Sequence, residues 1–121
     1  MTRGANRVRL FLLVEVAIFL LAALLHRGLL ARGHEHARAA IAESVVALVL
    51  ASGLAVSVFR QLSARAAALW AQGIALLGVA IGTVTMSIGI GPRGALDYGI
   101  HAVMALTLVA GLALAAGQPQ P

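Results

Sequence analysis

No charged residue lies between Ala66 and Pro92. That stretch exceeds the about 20 apolar residues a helix needs to cross a bilayer. A soluble fold could not cover it, because the 121-residue chain is 61% hydrophobic, only 11% charged and has a mean hydropathy of +0.98. So few charges cannot clothe a water-facing surface. Three more apolar runs accompany this one. They are continuous rather than alternating, which argues for helices and against a transmembrane barrel.

The chain reads as one all-α, polytopic membrane domain over residues 1–121. Its spans fall at about 8–30, 39–59, 66–90 and 97–116, and a disordered tail occupies 117–121. Glu15 interrupts the first run, and no small-x-small site follows Leu25. That run therefore reads as the first span rather than a cleaved leader. Short loops force neighbouring helices to reverse direction, so an antiparallel up-down-up-down four-helix bundle is expected. Ser63 is placed to cap the third helix, and Gly89, Gly91 and Pro92 to end it.

All nine basic residues are Arg, and there is no Cys. The composition suggests a GC-rich bacterial source and hence the inner membrane. Arg3, Arg7, Arg9, Arg60 and Arg65 fall on the side of the termini, against Arg27, Arg32, Arg38 and Arg93 on the other. The excess favours cytoplasmic N- and C-termini by the positive-inside rule. Without a basic face or stacking aromatics, the +5 net charge implies headgroup anchoring rather than nucleic-acid binding.

Small residues mark packing faces. Ala71, Ala75, Gly78, Gly82, Thr85 and Gly89 follow each other at spacings of four and three, and Thr107, Gly111 and Ala115 repeat the pattern in the fourth span. Such stripes let helices approach closely. Gly78, Gly82, Gly89 and Gly111 are the expected contact points, within the bundle or in a homo-oligomer or larger membrane complex.

The polar residues gather at one end. His26, Arg27, His34, Glu35, His36, Glu43, Asp97 and His101 all fall on the outer side, joined by Thr83, Thr85, Met86 and Ser87. His36 and Glu43 are seven apart, Asp97 and His101 four apart, and Glu15 and His26 eleven apart, so each pair shares a helix face. One reading is a divalent transition-metal site drawn from His26, His34, His36, Glu43 and His101, with Arg27 and Asp97 behind the ligands. Another is a b-type haem held by His26 and His101. The plainer alternative is a hydrogen-bonded cap in which Arg27 pairs with Asp97 or Glu43, and Arg93 pairs with Asp97 on the first turn of the fourth helix. No strained nucleophilic Ser and no phosphate-cradling loop is present, so the expected function is a non-enzymatic accessory subunit or binding module.

Glu15 stands apart, in Leu12-Leu13-Val14-Glu15-Val16-Ala17, with Trp70 and Gln72 entering the third span at the same depth. This arrangement resembles the small multidrug resistance transporters. They are four-helix chains of about this length, with one membrane Glu in the first helix and a Trp in the third. The resemblance implies a proton-coupled transporter in which Glu15 takes a proton or a cationic drug in competition and Trp70 stacks on the ligand; Gln72, at the same depth, joins them as a coupling candidate. It covers the architecture and two positions. The family's aromatic-rich, glycine-containing third-helix motif is absent, aromatics are only 4%, and the His-rich outer loop is foreign to it.

Overall fold

A computed structural model describes residues 2–120, which form four helices: α1 (Arg3–His26), α2 (Ala37–Val58), α3 (Ala64–Ser87) and α4 (Ala95–Ala116). Among the described residues there is no strand. Pro121, the last residue of the expected disordered tail, lies outside them.

Local chemistry sets the helix ends. The Thr2, His36 and Ser63 side chains each accept from the backbone N–H three residues on, capping α1, α2 and α3. At α4 the relation is reversed, and the Asp97 carboxylate accepts from the Gly94 backbone N–H at 2.8 Å. The first three helices end in the same paired reversal. Gly28 and Leu29 bond back to Leu25 and Leu24, Arg60 and Gln61 to Ser57 and Val56, and Gly89 and Ile90 to Met86 and Thr85. The pivot has a left-handed backbone in each case: Gly28 (φ 77°), Arg60 (φ 59°) and Gly89 (φ 89°). Glycine adopts that conformation freely and arginine does not. Gly89 thus serves the turn after α3 rather than a packing stripe, and it is exposed. Pro92 also lies in this turn, before α4 begins.

Each buried face repeats at spacings of three and four. On α1 the series is Val8, Leu12, Glu15, Phe19, Ala22 and His26, the pattern that keeps one stripe facing a neighbouring helix. α1 packs on all three other helices, α3 packs on α2 and α4, and among the described residues α2 and α4 do not pack on each other. Small side chains allow the close approaches. A Cβ on Gly53 would lie 2.5 Å from that of Ala71, across the α2–α3 contact. Gly111 abuts Glu15 and Gln72, while Gly78 meets Val46 and Gly82 meets His101.

The outside of the bundle is apolar. Leu13, Leu20, Leu48, Leu77, Ile81 and Leu106 all point outward. All four helices are long and apolar enough to cross a membrane.

Candidate functional site

α1 carries two buried polar centres, separated by Phe19 and Ala22. The lower centre is Glu15, fully buried, whose two carboxylate oxygens each accept from Gln72 Nε2 at 3.0 Å. Trp70 is not part of it. Residues two apart on a helix point to nearly opposite sides, so Gln72 faces inward and Trp70, 71% exposed, faces away from Glu15. Stacking on a ligand at Glu15, as the transporter resemblance implies, is not available to Trp70 in this arrangement. Nearer the start of α1, Arg9 Nε donates to Ser57 Oγ at 2.8 Å and Nη2 to the Ser57 carbonyl at 2.9 Å. This places a cation at the C-terminal turn of α2, where the helix dipole favours it. The sequence reading treated Arg9 only as a headgroup anchor; a Ser in the last turn of α2 was the signal available.

The upper centre is built on His26, the last residue of α1. Its Nδ1 lies 2.8 Å from Glu43 Oε2, and its Nε2 lies 3.0 Å from Asp97 Oδ1. All three side chains are buried. Because α1 touches both α2 and α4, its terminal histidine can bridge two helices that do not touch each other. Asp97 is a direct partner here, and its other oxygen caps α4 through Gly94.

Proton counting limits the charge of this triad to −1 or 0. An ionised carboxylate only accepts, and a neutral imidazole has one donor nitrogen. With the fewest protons, two hydrogen bonds from one imidazole to two acids are met by an imidazolium with two carboxylates, or by a neutral ring with one protonated acid and one carboxylate. Both arrangements carry a net charge of −1.

The remaining expected residues are dispersed. Arg27 is exposed, and among the described residues both ion pairs are made by His26, so neither Arg27 nor Arg93 pairs with Asp97 or Glu43. An arginine there would have to fold back from the solvent-facing side, whereas His26 already lies on the inward stripe. His36 spends Nδ1 as the α2 cap. His34 is half-buried in the loop, and Glu35 accepts from the Gly33 N–H. His101 donates Nδ1–H to the Asp97 carbonyl at 3.0 Å, which leaves Nε2 as an acceptor. Ser44, Thr83, Thr85 and Ser87 bond to carbonyls of their own helices.

Metal or haem ligation needs an imidazole lone pair, and His26 has both nitrogens committed to acids. Among the described residues, no group of three or more His, Asp or Glu could hold a metal ion. His26 therefore offers no free lone pair beside His101, and the candidates His26, His34, His36, Glu43 and His101 form no such metal group among the described residues.

A cavity of about 500 Å³ adjoins the upper centre. It lies mainly between α2 and α3, walled by Glu43, Val46, Gly78 and Gly82, and closed by Phe19 of α1 and by His101 and Met104 of α4. Gly78 and Gly82 line it and also pack closely against Val46 and His101. Sequence reading assigned those glycines to helix contact and gave no signal of a cavity. Comparison with known protein families, curated proteins and solved structures finds no match for this chain.

Proposed function

We propose that this chain is a non-enzymatic, multi-pass protein of the bacterial inner membrane that acts as a binding module or accessory subunit, with its ligand site at the outer-end His/acid cluster. The observation that carries this reading is the placement of the Glu43 wall of the triad on a 500 Å³ cavity. Ionisable side chains inside apolar helices are costly, and they mark functional sites more often than packing. The cavity size falls in the range of about 300–1,000 Å³ typical of small-molecule sites.

In this reading the four helices cross the bilayer as an antiparallel up-down-up-down bundle, with both termini in the cytoplasm and the triad near the periplasmic face. The apolar exterior and the short loops support that arrangement. The protein acts in the bilayer as a homo-oligomer or as a subunit of a larger membrane complex, not on nucleic acid.

Two experiments test the proposal. Native mass spectrometry of protein extracted gently from membranes should show a small molecule retained by the wild type and lost from Ala42→Phe, which fills the cavity wall. If neither protein retains one, the binding-module reading falls. The chain has no cysteine, so single cysteines at Gln118 and Gly33 report topology cleanly. A membrane-impermeant thiol reagent added to intact cells should label the Gly33 variant and spare the Gln118 variant.

A further inference from the structure

We propose that the cavity beside the triad binds an amphipathic amine: a single apolar chain ending in a cationic, N–H-bearing head. The inference rests on the binding-module reading above and names the ligand class for that site.

Two unused acceptors define the head. Glu43 is 6% exposed and lines the cavity, and its Oε1 is buried without a hydrogen-bond partner while Oε2 is held by His26. A buried carboxylate oxygen left unpaired costs the desolvation of a charged group. His101 lines the same cavity, and with Nδ1 donating to the Asp97 carbonyl the neutral ring presents a lone pair at Nε2. A molecule that satisfies both must bring hydrogen-bond donors.

Charge selects among donors. In the arrangements with the fewest protons the triad carries −1, and a buried charge calls for a partner of opposite sign. Arg38 is on the cavity rim but exposed, and it forms no ion pair with Glu43. An ammonium supplies the missing positive charge and the donors together. A hydroxyl supplies only the donor, and a carboxylate supplies neither.

The rest of the cavity selects the tail. Beyond Glu43 the walls are Val46, Gly78, Val79, Phe19 and Met104. They offer no polar side chain, so an apolar chain can lie along them with the ammonium at Glu43.

The test uses the full chain in phosphatidylcholine nanodiscs, whose choline head has no N–H donor. Dodecylamine is the probe, with dodecyltrimethylammonium, dodecanol and dodecanoate as comparators. Wild type is measured beside Ala42→Phe, so that bulk partitioning cancels. Dodecylamine should raise the unfolding midpoint of the wild type by about 5 °C or more beyond its effect on Ala42→Phe. Glu43→Gln should weaken dodecylamine binding about 10- to 100-fold, the loss expected for a charge-assisted hydrogen bond. Should Glu43→Gln fail to fold, the contrast between the four probes at the intact site still decides. Dodecanol or dodecanoate acting as strongly as dodecylamine, with the same dependence on Ala42, overturns the amine and leaves the binding site standing. No Ala42-dependent shift with any probe overturns both readings. If phosphatidylethanolamine in the nanodisc suppresses the dodecylamine shift, the occupant is a lipid headgroup amine and the single-chain assignment is overturned.

Discussion

Glu15 and His26 occupy the same inward face of α1, three turns and about 16 Å apart, yet the bundle treats them differently. Glu15 is an acid held by one neutral amide, Gln72. Gly111 is packed so closely over that pair that a Cβ there would sit 2.6 Å from Glu15 Oε1. His26 is a base held between two acids that arrive from helices on either side. Its neighbour Glu43 borders a cavity, whereas Glu15 does not line one of the main cavities. Both centres are buried, and the upper one adjoins a main cavity through Glu43. The difference follows from the helices around α1. Near Glu15, α3 and α4 close over the stripe with Gln72 and Gly111. Near His26, α2 and α4 stay apart and the histidine bridges them.

The largest expected effect breaks the upper centre. His26→Ala leaves two acids facing each other in an apolar end of the bundle, and removing one partner of a buried ionic cluster costs about 3–5 kcal/mol. Thermal unfolding in detergent should show this loss. A change below about 1 kcal/mol would mean that the acids are hydrated and the centre is not buried. Gly111→Leu probes the lower centre by crowding Glu15 and Gln72, with an expected cost of about 1–3 kcal/mol from overpacking. A neutral result there would contradict the tight closure over Glu15.

A smaller effect separates the two acids. Glu15→Gln keeps the side chain's shape at a site with only one neutral donor, so it should change stability by no more than about 1 kcal/mol in either direction. Glu43→Gln removes a partner of a charged cluster and should cost about 1.5–3 kcal/mol. If the order is reversed, the contrast between the centres fails. Independence of the centres is sharper still. Combining Glu15→Gln with His26→Ala should give losses that add within about 0.5 kcal/mol, because Phe19 and Ala22 separate them. A larger coupling energy would reveal communication along α1. The smallest effect lies outside both centres and serves as their control. Arg60→Gly relieves a left-handed backbone that glycine already occupies at Gly28 and Gly89, and it should stabilise by about 0.5–1 kcal/mol without altering either centre.

Much of the polar framework was legible before any fold was drawn. The eleven-residue spacing put Glu15 and His26 on one face, and the Gln72 contact was within the expected depth. Ser63 announced a helix start. What failed was the choice of partners. Arg27 and Arg93 looked like the natural partners of Asp97 and Glu43, because sequence records charge and spacing along a helix but not which helices stand on either side of a given face. Trp70 was grouped with Gln72 by depth, though a two-residue step turns one inward and the other outward. The cavity was invisible, because it exists only where α2 and α3 diverge beside glycines whose surroundings are set by all four helices.

The sequence alone determined four apolar helices, the Ser63 cap, and the periodic stripe that carries Glu15 and His26, since these depend on hydropathy, turn chemistry and the 3.6-residue repeat. Tertiary structure decided what those buried groups do. It made His26 a bridge between two acids rather than a ligand with a free lone pair, and placed the packing glycines Gly78 and Gly82 in the wall of a cavity as well. It also left one oxygen of Glu43 without a partner. Those outcomes depend on how far apart α2 and α4 stand, a distance set by the whole bundle's packing and by no single helix.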